Sequence, residues 1–310
     1  SGLSTNSKKV KKNFIFFAIK GNKFNGEKFI KEAIKNGATV IICSKKCKFK
    51  HKSILVKKVK DIRLFLSEIA SKFYKFKPRN IIAVTGTNGK TSVADIFYQI
   101  LRINNISAAT IGTLGIKYNN KTIKTNLTSP DTVTLHKTLQ FLKIKKINNV
   151  IIESSSHGLD QKRLHHINFK GAIFTNFSQD HLDYHKNMKS YLNAKLILFK
   201  KILKEKTTII TDQGIDQFFL LKKIAKKRNL KLINLNEEFK KIKIKNKFEF
   251  NNGFKIKNLA MAVKAAKLCG LKENSIYRVL KKIKDVNGRL ELIKEYKNKI
   301  RVYIDYAHTP

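Results

Sequence analysis

Residues 81–103 constrain this chain more than any other stretch. Ile81 to Val84 is an unbroken apolar run, Gly86-Thr87-Asn88-Gly89 follows, and Lys90-Thr91-Ser92 opens an amphipathic helical pattern that continues to 103. A buried strand, a glycine turn and a helix in that order aim backbone N–H groups and a helix N-terminus at one point, which favours a phosphate. Lys90 is then placed for the β- and γ-phosphates and the Thr91 hydroxyl for Mg²⁺. The spacing is unusual. G-x-x-x-x-G-K-[ST] requires glycine at 84, which is Val84, so the loop begins late, at Gly86. A dinucleotide fingerprint, G-x-G-x-x-G, is absent from this stretch.

The rest of the chain repeats the strand-then-helix rhythm. Strand-like runs are 81–86, 149–155, 171–177, 207–212 and 231–236, and helical patterns occupy 90–103, 131–143, 187–204, 215–228, 257–269 and 274–285. Such alternation predicts an α/β fold, a mostly parallel sheet covered by helices. Residues 1–76 read as a separate small α/β unit, with strands at 13–19 and 38–43 and a helix between them closed by Gly37. Pro78 marks a linker. A last strand is expected at 300–305.

Ligands of parallel sheets bind at the carboxyl ends of strands, so the polar residues there are the candidates. "IIESSSHGLDQKR" (151–163) ends its strand on Glu153, a natural Mg²⁺ ligand beside a phosphate loop. A serine nucleophile with His157 as base is the competing reading, but no G-x-S-x-G elbow supports it. "TNFSQDHLDYH" (175–185) offers His181 with Asp180 and Asp183 as further metal ligands, against the alternative of a structural histidine. Lys195 lies on an apolar helical stretch, where a snorkelling lysine is the ordinary expectation.

Composition removes several classes. Lys and Arg number 66 against 21 acidic residues, giving a net charge of +45. That balance suggests nucleic acid. Yet only eight of the 66 are Arg, the residue suited to bidentate phosphate and base contacts, and the lysines are spread evenly. Lys, Ile and Asn are what AT-rich codons encode, so codon drift is the simpler account and no nucleic-acid partner is expected. Three cysteines, Cys43, Cys47 and Cys269, suit neither a disulfide framework nor a zinc site. No apolar run of about 18 residues predicts a membrane span, and no signal peptide is evident. A cytoplasmic, monomeric protein is expected. The chain opens on Ser rather than Met, which suggests a start inside a longer protein.

Taken together, "GTNGKTS", Thr128-Ser129-Pro130-Asp131, "ESSSHGLDQKR", "FTNFSQDHLDYH", "YLNAKLILF", "NGRLE" and "DYAHTP" resemble the Mur ligases, ATP-dependent amide-forming enzymes of peptidoglycan synthesis on which cell shape and division depend. The likeness includes the shortened phosphate loop and is greatest to the tripeptide synthetases of that family. It implies three domains: a uridine-nucleotide-binding domain (1–77), a central ATP-binding domain of P-loop type (78–287) and, in 288–310, the stub of a third, Rossmann-like domain. The implied reaction adds a diamino acid to UDP-N-acetylmuramoyl-L-Ala-D-Glu through an acyl phosphate, with ATP and Mg²⁺. meso-Diaminopimelate is favoured over L-lysine on its frequency among bacteria. Folylpolyglutamate and cyanophycin synthetases share the short loop and form the alternative.

Residue roles follow from the same resemblance. Gly86, Thr87, Asn88, Gly89, Lys90, Thr91 and Ser92 would hold ATP phosphates, Asn258 would face adenine, and Arg289 and Asp305 would contact phosphate and ribose. Thr91, Glu153, His181 and a carbamylated Lys195 would serve the metal. Thr128, Ser129, Ser155, Gln161 and Arg163 would line the muramoyl-peptide site, and Ser7, in the N-terminal segment, would help hold the uridine nucleotide of the same substrate. Two departures stand out: Thr5-Asn6-Ser7-Lys8 replaces the commoner Asp-Ser-Arg, and the amino-acid-binding domain that follows "DYAHTP" in the family is missing. A chain without that domain is expected to bind nucleotide but not to ligate.

Overall fold

The structure is a computed structural model that describes residues 1–21, 24–245, 253–289, 291–296 and 300–306. Leu290 of "NGRLE" and the last four residues of "DYAHTP" lie outside the described residues.

The first unit is a four-stranded parallel sheet, β1 (Gly2–Ser4), β2 (Phe14–Phe17), β3 (Ala38–Ser44) and β4 (Leu55–Val59), paired in that order. Its helices are α1 (Ile30–Lys35) and α2 (Ile62–Phe73). The expected helix 26–37 begins as a 3₁₀ turn, Gly26–Phe29, before becoming α1. Gly37 closes it at φ 103°, donating to the Ile34 carbonyl at 2.9 Å. That conformation is cheap only for glycine. Period-two alternation places Phe16 and Ile41 in one core layer, and Phe17 and Ile42 in another under Leu66 of α2.

The second unit contains β5 (Asn80–Thr85), α3 (Lys90–Ile103), β6 (Ala108–Gly112), β7 (Gly115–Tyr118), β8 (Lys121–Ile123), α4 (Thr132–Ile144), β9 (Asn149–Glu153) and α5 (Ser156–Asp160). It continues with β10 (Gly171–Phe174), α6 (Leu182–His185), α7 (Met188–Ile197), β11 (Thr208–Thr211), α8 (Phe218–Lys227), β12 (Lys231–Asn234), α9 (Asn236–Lys245), α10 (Gly253–Leu268) and α11 (Glu273–Val279). The expected long helix 187–204 is α7 followed by a wider π turn, Leu198–Ile202. The sheet order is β12-β11-β10-β5-β9-β6-β7-β8. All pairings are parallel except β6–β7–β8 at one edge.

The central strands are apolar throughout because both faces are covered. Ile81 and Ala83 face the layer that includes Leu135, Leu196 and Phe199, while Ile82 and Val84 face Phe97, Ile100 and Val263. After β5 the chain crosses to β6, returns to β9 at one flank of β5, then continues at the other flank with β10. This reversal opens a crevice at the carboxyl end of β5, where ligands of such sheets bind.

The last expected strand is real but does not join the large sheet. β14 (Arg301–Ile304) pairs antiparallel with β13 (Glu291–Glu295) as a separate two-stranded ribbon. The two units meet where α2 lies against α4. Ser67 Oγ donates to the His165 carbonyl at 2.6 Å, Ser71 Oγ to that of His166 at 3.0 Å, and Lys162 pairs with Asp61.

Candidate active site

The glycine loop sits at the mouth of the crevice. Gly86 has φ 144° and Gly89 φ 82°. A side chain on Gly86 would collide with Thr175 Oγ1, and one on Gly89 would come within 2.6 Å of Asn258 Oδ1. The loop is strapped to the end of β10. Thr87 N–H donates to the Asn176 carbonyl at 3.0 Å, Asn88 N–H to Asn176 Oδ1 at 2.8 Å, and Thr175 Oγ1 to the Asn88 carbonyl at 2.6 Å. Gly89 caps α3 in the left-handed conformation, so the helix starts directly on Lys90.

Lys90 is not displayed to solvent as a loop lysine would be. It is half-buried and folds over its own loop, donating to the carbonyls of Thr87 at 2.6 Å and Gly86 at 3.1 Å. Burial lowers its pKa, against the opposing pull of Glu153 and Asp180. The hydroxyl of Thr91 donates to Glu153 Oε2 at 2.9 Å.

Glu153 ends β9 and is 2% exposed. It also accepts from Thr113 N–H at 2.9 Å and Thr113 Oγ1 at 3.1 Å. Any side chain on Gly112 would strike the carboxylate. Among the described residues it has no ion-pair partner within contact distance. Desolvation raises its pKa, with Lys90 pulling the other way. A carboxylate so placed is costly unless something cationic joins it. Thr113 and Gly112 were missed by the sequence reading, and Thr175 and Asn176, inside a segment it singled out, were given no role. Their signal was "GTLG" after an apolar run and "TN" at a strand end.

Lys195 is 1% exposed, so the snorkelling expectation fails. Its Nζ donates to the Gly86 carbonyl at 2.6 Å and lies 4.3 Å from the Tyr191 ring centre. Burial, then Lys90, push its pKa well below the usual lysine range. His181 stands in the left-handed conformation before α6. Its Nε2 is 3.4 Å from Asp180 Oδ2, and its ring meets His157 edge-on at 4.9 Å between centres. Asp183 is exposed and does not join them. Among the described residues no three His, Cys, Asp or Glu side chains form a closed metal cage. That suits Mg²⁺, which keeps water and phosphate oxygens in its shell.

A second set gathers at α5. Ser129 is buried; its Oγ donates to the Glu153 carbonyl at 2.7 Å and lies 3.0 Å from Ser155 Oγ, while Ser155 caps α5. Thr128 Oγ1 is 3.2 Å from Thr113 Oγ1. Arg163 donates to the Ser129 carbonyl at 2.7 Å and to Gln161 Oε1 at 2.6 Å. Gln161 donates to the Tyr184 hydroxyl at 3.2 Å. Ser7 belongs to neither group; it lies in the first unit, its hydroxyl donated to Glu32 at 2.6 Å.

A cleft of about 570 Å³ runs from the loop to the terminal ribbon. Asn88, Gly89 and Ser92 line one end, Asn258 a side wall, and Arg289 and Asp305 the far wall. Of the nucleotide residues chosen from sequence, Asn88, Gly89, Ser92, Asn258, Arg289 and Asp305 line this cavity, and Gly86, Thr87, Lys90 and Thr91 are not among its lining residues.

Residues 84–271 match the Mur ligase middle domain, and residues 1–74 match the family described as Mur ligase family, catalytic domain. The chain belongs to the Mur ligase family. Among its relatives are the UDP-N-acetylmuramoyl-L-alanyl-D-glutamate–2,6-diaminopimelate ligases of Rickettsia montanensis and Aquifex aeolicus. Each is 37% identical over all of this chain and 68% or 66% of its own length. The chain thus spans about two thirds of these Mur ligases. A solved structure of a protein of that same name has TM-score 0.79 at 24% identity, covering 96% of this chain and 65% of its own. A MurF ligase from Thermotoga maritima in complex with ADP has TM-score 0.62 at 20% identity, covering 95% and 68%. A folylpolyglutamate synthase from Mycobacterium tuberculosis has TM-score 0.59 at 14% identity and covers only 79% of this chain. These structural likenesses speak for the Mur ligase fold; the tripeptide-synthetase reading fits better than the folylpolyglutamate one.

Proposed function

We propose that this Mur ligase chain serves an ATP-dependent ligase that adds 2,6-diaminopimelate to the γ-carboxylate of D-Glu in UDP-N-acetylmuramoyl-L-Ala-D-Glu. The observation that carries the reading is Glu153, a buried carboxylate without a counter-ion beneath a phosphate loop. The loop N–H groups, Lys90 and Arg289 bind the ATP phosphates, and Asn258 and Asp305 hold the rest of the nucleotide. Thr91, Glu153 and His181 would hold Mg²⁺, which supplies charge neutralisation at the transferring phosphoryl group. An oxygen of the substrate carboxylate attacks the γ-phosphorus, the bridge to the β-phosphate breaks, and ADP leaves. The amine then attacks the acyl carbon, loses a proton, and inorganic phosphate departs. Phosphoryl transfer leaves little covalent work for side chains, so positioning and charge do most of the catalysis.

Lys195 contributes through its depressed pKa. A neutral amine adds CO₂ and loses one proton to give a carbamate, an oxygen donor of the kind Mg²⁺ prefers. Ser129, Ser155, Gln161 and Arg163 shape the muramoyl-peptide side of the crevice, and the first unit, with Ser7, takes the uridine nucleotide. Domain limits of 1–77, 78–287 and 288–310 accord with this division, as does action as a monomer in the cytoplasm. Among the described residues no helix is long and apolar enough to cross a membrane. The test is ADP release by the intact protein. It should require UDP-N-acetylmuramoyl-L-Ala-D-Glu and rise with diaminopimelate more than with L-lysine; ADP release indifferent to both substrates would overturn the proposal.

A further inference from the structure

The cleft has two walls that differ in what holds them. The loop wall belongs to the large sheet. The far wall carries Arg289 and Asp305 on the ribbon and on the segment 283–289 that leads to it. α3 touches both. Its first turns, through Ser92 and Ile96, line the cleft, and its next stripe holds Asp95 and Gln99. Gln99 Oε1 accepts from the Lys284 N–H at 2.9 Å, while its Nε2 donates to the Lys284 carbonyl at 3.1 Å. The amide thus pairs with both backbone groups of one residue, as a neighbouring strand would. Nε2 donates also to Asp95 Oδ2 at 2.7 Å, and Asp95 Oδ1 accepts from Lys117 at 2.7 Å. A carboxylate only accepts, so Asp95 turns the NH₂ face of Gln99 toward itself and fixes which end meets the Lys284 N–H. Residues four apart on a helix are neighbours, which makes this orientation a local property of α3.

We propose that Gln99 is a positioning residue for nucleotide binding. It clamps 283–286 to α3 and so holds Arg289 and Asp305 at a fixed distance from the phosphate loop on the same helix. This rests on the reading of the cleft as the ATP site. It goes beyond that reading by naming a residue that touches no ligand. The ligand at stake is a nucleoside triphosphate: Asp305 would meet its ribose and Arg289 a phosphate, while the loop holds most of the triphosphate.

The test uses the intact protein and its Gln99→Leu and Gln99→Glu variants. Gln99 is only half-buried, so both variants should fold. Binding of Mg-ATP and of inorganic tripolyphosphate is measured by calorimetry, and amide exchange is followed in the peptide 280–289. The clamp predicts about tenfold weaker ATP binding for both variants, the effect of about 1.4 kcal/mol. It predicts a smaller loss for tripolyphosphate, which keeps the loop contacts and has no ribose to meet Asp305, and faster exchange in 280–289. Unchanged ATP affinity, or equal weakening of ATP and tripolyphosphate, overturns the proposal. If the unsubstituted protein retains no ATP, the nucleotide reading itself fails. In that case the exchange arm still decides the clamp, which unchanged exchange would refute.

Discussion

The two walls of the cleft solve the same problem in different ways. At the loop wall, Thr91, Thr113 and Glu153 satisfy one another, Thr175 and Asn176 strap the loop, and everything rests on strands buried on both faces. At the far wall, β13 and β14 are largely exposed, including Ile293, Val302 and Ile304. The contacts there include the paired amide of Gln99, a Lys255–Asp285 ion pair at 3.0 Å and Tyr306 N–H donating to the Gly288 carbonyl at 3.0 Å. A core-backed wall fixes where charge is transferred.

Substitutions should separate the walls by size of effect. Lys90→Ala removes the cation at the transferring phosphoryl group, and about a thousandfold loss in kcat is expected, in line with loss of a charge-stabilising donor. A normal melting temperature with unchanged kcat would show that the loop wall is not where phosphate is transferred. Lys195→Ala should lose about a hundredfold. Formate or acetate should restore part of that by filling the vacated space, whereas Lys200→Ala, on an exposed position, should do neither. Wild-type turnover by Lys195→Ala in bicarbonate-free buffer would rule out the carbamate.

Acid should strike at the junction of the units as well as at the histidines beside the loop wall, where burial lowers His157 to about 4. His136 is fully buried in α4, both ring nitrogens lacking a hydrogen-bond partner, and burial followed by the nearby Lys77 lowers its pKa to about 3. The folded protein keeps it neutral while the unfolded chain takes up a proton below pH 6.5. Stability is therefore whole above about pH 6.5 and falls as the pH drops toward 3, by about 2 kcal/mol at pH 5. His165, lowered to about 4 first by burial and then by Lys162, acts in the same sense. Denaturant titrations from pH 7 to 5 should show a shallower slope in His136→Phe, His165 keeping its own share; an unchanged slope assigns it elsewhere. The smallest expected effect is at the far wall. Asp305→Ala should weaken ATP binding about tenfold and spare tripolyphosphate binding, as for one lost charge-assisted hydrogen bond. If Asp305→Ala weakens tripolyphosphate as strongly, the distinction between the walls collapses.

Much of this was legible in the sequence because the signals are local. Apolar runs closed by glycine at β5 and by polar residues at β9 and β10 revealed those strands, and the polar residues at their ends marked the site before any contact was known. Glu153, Lys90 and His181 were found that way. Elements with weaker patterns were not read. The antiparallel edge β6–β7–β8 is short and ends in exposed residues at β8, and α2 follows an edge strand with little alternation.

What remained for the tertiary structure was the set of contacts that strand order alone creates. Lys195 was singled out only through the family resemblance, its local pattern allowing a snorkelling lysine; the structure buries it against the Gly86 carbonyl, 109 residues away in sequence. Gln99 is an ordinary helix residue until 185 residues later the chain returns to pair with it. Glu153 needed β6 beside β9 before Thr113 could reach it. Hydrophobic period and turn chemistry act over a few residues, so they dictate elements and their ends. Burial, and with it the pKa of a lysine or the partner of a carboxylate, depends on which elements become neighbours, and the sequence states that only through the packing of the whole sheet.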